Sequence, residues 1–415
     1  MNSMRNKVNL ALMAKDFLKW GGGIDFLLNS VNALLQGGKT NELFVSILIP
    51  EITLKGKIVN LLYPYKKIVE DISSFRRPHF FRANMIAKEI LLDSLDYNRS
   101  NMDVVNYRDD QHGLMQCLER INADIVFPFS SSPGPKFPHS WLGYVPDLQH
   151  KYLPNLFTKA ECKRRDRIFL NLLKDGKAVI VNSDAVKSDL ERYYPDFGCK
   201  IIQLPFAPIP LNCWFEDHPA NYTIKYNLPE HYFIISNQFW VHKSHITAFE
   251  ALSTLRTLSP PLDVHIVCTG DTRDYRFPKY FNWLKARIHE LDLTQYIHFT
   301  GYIPKRDQIQ ILRGAIGLLQ PTLFEGGPGG GAVYDAVAMG VPAIVSDIPV
   351  NKEIKDENVF FFHAGSSSDL EEKMMKMSNE DIQRPSKEKL MEKGYQRAEK
   401  LEKTLLEAIE YVLSS

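Results

Sequence analysis

No run of about 18 apolar residues occurs anywhere in the 415-residue chain, so the sequence predicts no bilayer-spanning helix. An excess of one charge is missing too: 50 Lys and Arg stand against 49 Asp and Glu. Proteins built to hold nucleic acid carry a strong basic bias, so no nucleic-acid partner is expected. Cysteine is scarce. Cys117, Cys162, Cys199, Cys213 and Cys268 are odd in number, form no C-x-x-C pair and match no zinc spacing, so reduced thiols and a cytoplasmic location are expected. The apolar run Val8 to Met13 is too short for a secretory leader and is read as a strand. G-x-G-x-x-G and Gly-Lys-Ser/Thr loops are absent, which argues against dinucleotide and Walker-type nucleotide sites. No Asp-x-Asp stands near a candidate strand end, so neither metal nor other cofactor is expected.

What is present is ordinary globular material, 44% apolar and 24% charged. The length allows about two to three domains. Short apolar runs alternate with amphipathic stretches, the pattern of an α/β chain with parallel strands. The predicted strands of the first half are Val8 to Met13, Leu43 to Ile49, Asp124 to Phe127, Trp141 to Val145 and Ala178 to Asn182. Helices are predicted over Ile24 to Leu35 and Lys159 to Lys174, with Ser183 capping the helix after it. Four prolines between Pro205 and Pro219 mark Leu204 to Pro229 as the linker. A second series follows: strands Tyr232 to Ser236, Val264 to Thr269, Ile297 to Thr300, Gly317 to Gln320 and Ala343 to Val345, with helices over Ile246 to Leu258 and Tyr280 to Leu291. Leu390, Leu401, Leu405, Ile409 and Val412 give a closing surface helix one buried stripe. Two α/β halves with a charge-balanced surface point to an enzyme working in a cleft.

Three segments carry chemistry. Gly21, Gly22 and Gly23 lie between the first strand and first helix, where they serve either as a plain turn or as a phosphate cradle under a helix N-terminus. Phe324-Glu325 leads into five glycines within Gly326 to Gly331, and a helix is predicted over Ala332 to Met339. That many glycines cost chain entropy with little return in packing. Glu325 and Asp335 could accept hydrogen bonds from sugar hydroxyls, or favour the dipole of a helix start. Asn237 to His245 follows the first strand of the second half and brings amides, imidazoles and Lys243, a candidate cation for phosphate charge.

The stretch Gly301-Tyr302-Ile303-Pro304, then Arg313-Gly314-Ala315, Gln320-Pro321, Phe324-Glu325-Gly326 and Ala336 to Asp347 resembles the GT-B glycosyltransferases, and within them family 4, the retaining enzymes that use nucleotide sugars. Tyr144 to His150, Leu153-Pro154 and the strand before Ser183 resemble one branch's first domain. The similarity covers most of residues 140 to 350. It implies two Rossmann-like, doubly wound domains facing across a cleft, at 1–208 and 209–388, and a C-terminal helix at 389–415 that crosses back to the first. It implies a hexose moved from a nucleoside-diphosphate sugar to a glycan or lipid-linked acceptor, as in cell-surface polysaccharide or glycolipid assembly. Glu325 would contact the donor sugar and Asp335 the ribose. Lys243 would stabilise the diphosphate, helped by Gly22 and Gly23 amides. Gly301, Tyr302 and Ile303 would lie near the base.

Asn237, Gln238, His242, Gly21, Gly326 and Gly327 complete the expected donor side. Two departures stand out. Nine residues separate Glu325 from Asp335, a longer spacing than the family's. The family's first-domain His falls near Pro146, which leaves Asp147 or His150 as the nearest polar substitutes. A basic, aromatic-bearing segment, Thr53 to Arg82, reads either as a solvated insertion or as a contact with anionic lipid at the inner membrane face. The competing functions are a non-catalytic nucleotide- or sugar-binding protein and a nucleotide-sugar epimerase.

Overall fold

A computed structural model of the chain describes residues 7–19, 21–36, 43–51, 101–195, 197–274, 276–380 and 382–414. The segment Thr53 to Arg82 lies outside the described residues.

The first half runs β1 (Val8–Met13), α1 (Gly21–Gln36), β2 (Leu43–Pro50), β3 (Met102–Tyr107), α2 (Gln111–Arg120), β4 (Ile125–Phe129), β5 (Ser140–Val145), α3 (Lys159–Asp175), β6 (Ala178–Val181), α4 (Asp184–Tyr193) and β7 (Lys200–Gln203). The second runs α5 (Pro219–Tyr226), β8 (Tyr232–Ser236), α6 (His245–Arg256), β9 (His265–Thr269), α7 (Tyr280–Glu290), β10 (Ile297–Gly301), α8 (Lys305–Gly314), β11 (Leu318–Gln320), α9 (Gly330–Ala338), β12 (Ala343–Ser346), β13 (Val359–Phe362), α10 (Ser367–Asn379) and α11 (Lys387–Ser414).

All strand pairs are parallel. The first sheet has the order β3-β2-β1-β4-β5-β6-β7 and the second β10-β9-β8-β11-β12-β13. Each order reverses once, between β1 and β4 and between β8 and β11. A crevice opens at such a switch point outside the strands' C-terminal ends. Strands with both faces covered by helices read as near-continuous apolar runs, which is why the sequence locates ten of these thirteen strands; the three it omits, β3, β7 and β13, all lie at sheet edges. Ala178 to Val181 and Tyr232 to Ile235 are buried at every residue.

Local signals set several helix starts. Thr158 and Glu161 form a reciprocal capping box at α3. Ser183 accepts from Val186 N at α4, as its position predicts.

Three expectations need adjustment. Helix α1 begins at Gly21, so the glycine triad forms its first turn rather than a loop before it. Helix α9 likewise begins at Gly330, inside the glycine run. The Pro-rich segment is not linker throughout. Leu204, Ala207 and Ile209 pack into the first core. Trp214, Phe215 and Tyr222 pack under the second sheet, and α5 lies within the segment.

Helix α11 spans both halves. Arg397 pairs with Asp356 at 2.9 Å near its start, and Leu401, Leu405, Ile409 and Val412 are buried in the first core. Where it crosses the linker, a Cβ on Gly394 would stand 2.5 Å from Pro210 Cδ, so only glycine permits that approach.

Candidate active site in the cleft between the sheets

A cleft of about 400 Å³ lies between the C-terminal edges of the two sheets. Its second-half wall is built from strand ends. Asn237 follows β8 and donates to Gln320 Oε1 at 2.5 Å; Gln320 ends β11, the neighbour of β8 across the switch point. Gln320 in turn donates to Glu325 Oε1 at 3.1 Å and to the Gly329 carbonyl at 2.7 Å. Lys243 Nζ stands 2.5 Å from the same Glu325 oxygen, and both side chains are about nine-tenths buried. One connected set of side chains thus holds an ammonium and a carboxylate at the mouth of β8 and β11.

The glycine run is shaped by contacts that exclude a Cβ. Gly329 has φ +70° and Gly330 φ +63°, and a Cβ on Gly330 would stand 3.0 Å from Glu325 Oε2. Asn351 Oδ1 accepts from Gly329 N at 2.8 Å and pins the turn from below. Helix α9 then begins with no side-chain cap and no acidic residue in its first turn. Such an end offers N–H groups and a positive dipole to an anion. Gly326 and Gly327 lie against the other half: a Cβ on Gly326 would be 2.1 Å from the Pro146 carbonyl, and Ser183 Oγ donates to the Gly326 carbonyl at 3.1 Å.

His242 and His245 are buried beside Lys243. Burial, with Lys243 adding to it, pushes His242 down to about 2 and His245 to about 3. Both rings are therefore neutral near pH 7. His242 lines the cleft and its Nδ1 finds no partner among the described residues. His245 does not line it; it stacks on Phe239 at 4.3 Å, with neither ring nitrogen bonded.

Asp335 lies one turn into α9 with Oδ2 bonded to Lys305 at 2.7 Å and to Gln308 at 3.1 Å. Burial raises its carboxyl above the ordinary range, Lys305 opposes that rise, and Asp25 adds to it. Burial also works against the Lys305 charge, but Asp25 and Asp335 outweigh it and its pKa is raised. The ammonium at 2.7 Å decides the balance in favour of a charged pair.

The structure brings most expected residues to the cleft. Gly21, Gly22, Asp147, Asn237, Gln238, His242, Lys243, Tyr302, Ile303, Glu325, Gly326, Gly327 and Asp335 line it; Gly23 and Gly301 do not. His150 does not either. The single helical turn Gln149–Tyr152 carries it beneath the surface. There Nε2 meets Asp166 at 2.8 Å and Nδ1 accepts from Arg165 at 3.3 Å. Asp147 reaches the cleft but is held by Arg165 at 2.6 Å. Residues that the sequence reading passed over are Gln320, Asn351, Lys305 and Asp25. A polar residue closing an apolar strand was a usable signal for Gln320. Lys305 and Asp25 are 280 positions apart and gave none.

Residues 224–397 match the family model described as glycosyl transferases group 1. Mannosylfructose-phosphate synthase of Agrobacterium fabrum is 27% identical over 105 residues, which is 25% of this chain and 23% of that protein. The match therefore spans under a quarter of that relative's length. Sucrose-phosphate synthase of Thermosynechococcus elongatus superposes with a TM-score of 0.62 over 97% of both chains at 13% identity. HepE of Anabaena in complex with UDP-glucose superposes with a TM-score of 0.56 at 12% identity, over 98% of this chain and 97% of that one. The architecture is the GT-B fold of these structures, and the family-model similarity is confined to the second half. No helix among the described residues is long and apolar enough to cross a membrane.

Proposed function

We propose that this GT-B glycosyltransferase moves a hexose from a nucleoside-diphosphate sugar to a glycan or lipid-linked acceptor, with the anomeric configuration kept. The observation that carries the reading is the Asn237–Gln320–Glu325–Lys243 network at the mouth of β8 and β11, set beside the uncapped start of α9. UDP-glucose in the HepE structure supports a uridine nucleotide as the first donor to try.

As the diphosphate departs, the anomeric carbon becomes cation-like and negative charge grows on the leaving oxygen. The enzyme's task is to hold that charge. Lys243 is neutralised by Glu325; an arriving diphosphate recruits the ammonium and frees a Glu325 oxygen for a sugar hydroxyl. The first-turn amides of α9, with Gly21 and Gly22 opposite, add donors along the phosphates. Each well-placed donor is worth about 3 kcal/mol, or about a hundredfold in rate. The acceptor hydroxyl passes its proton to the departing phosphate, so no protein base and no metal ion is required. Asp335 receives the ribose, and Tyr302 and Ile303 the base.

The test is nucleotide release and sugar transfer from UDP-glucose, GDP-mannose and ADP-glucose by the wild type, Lys243→Ala and Glu325→Ala, with circular dichroism as the folding control. Each variant should lose about a hundredfold or more in kcat/KM while remaining folded. Near-wild-type rates in both would sink the assignment. A wild type that binds nucleotide tightly but releases none from any donor is a binding protein instead.

A further inference from the structure

Lys305 opens α8 and its ammonium reaches both walls of the cleft. It stands 2.7 Å from Asp335 Oδ2 on α9 and 3.2 Å from Asp25 Oδ1 on α1. The first partner belongs to the second half, the second to the first half. Lysine brings three donors and no acceptor, so one ammonium satisfies both carboxylates at once. Its removal would leave a carboxylate on each wall of the cleft, one of them only 6% exposed, with nothing between them to offset their repulsion. Gln308, one turn further along α8, also binds Oδ2 and so fixes the rotation of the Asp335 carboxyl. Both bonds fall on Oδ2.

We infer that Lys305 is a positioning residue for the donor. It holds Asp335 by one oxygen so that Oδ1 is left for a ribose hydroxyl. Through Asp25 it makes closure of the first half over the donor part of the same contact. The inference rests on the donor reading above, and it adds a specific claim: donor affinity depends on a residue of the first half that need not touch the donor. A purely structural latch would alter melting temperature and leave donor affinity where it was.

The experiment measures donor KM and kcat for the wild type, Lys305→Met, Lys305→Arg, Asp25→Asn and the Lys305→Met/Asp25→Asn pair. The donor is whichever of UDP-glucose, GDP-mannose and ADP-glucose the wild type turns over best. Lys305→Met should raise KM about thirtyfold, more than it lowers kcat, as expected for the loss of a charged hydrogen bond. Lys305→Arg should recover most of the loss. Asp25→Asn should raise KM about fivefold, since that pair is the more exposed. The double variant should be no worse than Lys305→Met, because both changes act through one ammonium.

Unchanged KM in Lys305→Met and Asp25→Asn overturns the inference, and so does an additive double variant. If Lys305→Met does not fold, Asp25→Asn and Lys305→Arg decide on the same criteria. If the wild type transfers nothing but binds UDP in calorimetry, UDP Kd replaces KM in the same comparison; the transfer reading then fails while the inference is still decided. A wild type that neither turns over a donor nor binds UDP overturns both.

Discussion

The strands that end at the cleft differ between the two halves. In the second sheet β8, β9, β11 and β12 end in Ser236, Thr269, Gln320 and Ser346; in the first, β1, β4, β5 and β6 end in Met13, Phe129, Val145 and Val181. Each polar terminus of the second sheet is bonded across to a neighbour: Ser236 to Thr269 at 2.9 Å, Gln320 to Asn237 at 2.5 Å, Ser346 to the Thr322 carbonyl at 2.5 Å. The first half adds ring packing, with Phe26 4.3 Å from Tyr144 and Phe17 5.4 Å from it. Two of its cross-links, Ser130 to Asp16 at 2.6 Å and Asn182 to Tyr144 at 2.5 Å, come from residues just past the strand ends, and neither joins an ammonium to a carboxylate. Hydrogen-bonded termini fix the loops that carry Lys243 and Glu325 in direction as well as position. That is what charge stabilisation needs.

The largest expected effect breaks the comparison outright. If the chemistry rests on the polar edge, Lys243→Ala and Glu325→Ala fall about a hundredfold or more in kcat/KM. Asp147→Asn, on the opposite wall and already held by Arg165, should fall by much less. Equal losses in steady-state assays of the three would mean that both edges carry charge chemistry.

The next effect tests how the walls meet. Gly326 lies so close to the Pro146 carbonyl that a Cβ there would sit at 2.1 Å, and Asp147 Cβ is at 2.7 Å. These are backbone and near-backbone atoms of the other half, so they cannot swing aside. Gly326→Ala should hold the cleft open by a fraction of an ångström to about an ångström, and a displacement of that size can cost on the order of a hundredfold. Both cores should remain intact, since the contact belongs to neither. Loss of turnover with unchanged far-ultraviolet dichroism is the expected result; full turnover would mean that the walls do not meet there during catalysis.

Much of this was legible in the sequence, for identifiable reasons. Strands covered on both faces announce themselves as apolar runs, and Tyr232 to Ser236 is found where the run predicts it. The glycine-rich loop announced itself by its cost. The start of α1 differs from expectation because three glycines read as a breaker, whereas the helix runs back to Gly21. His150 looked available beside Asp147 because sequence proximity says nothing about which way a single helical turn points. Lys305 had no local signal at all. Its meaning comes from Asp25, which the fold brings to it from the far end of the chain.

The smallest effect concerns the imidazoles, and it separates the halves by stability rather than rate. In the first half His150 is bonded on both ring nitrogens. In the second half His245 is fully buried with neither nitrogen bonded, and burial lowers it to about 3. An unfolded chain binds a proton at this histidine near pH 6.5, while the folded protein does not until about pH 3. Between those values the unfolded state holds the extra proton. Its contribution to stability is therefore fully present above about pH 6.5 and is lost as pH falls, by up to about 1.4 kcal/mol per unit. His245→Phe keeps the stack on Phe239 and removes the titration. Urea unfolding of both proteins at pH 7.5 and pH 5.5 should show the wild type losing about 1 kcal/mol more than the variant over that interval. Because every other titrating group is common to the two proteins, the difference isolates this ring, and parallel losses would mean that His245 is reached by water or a proton in the native state.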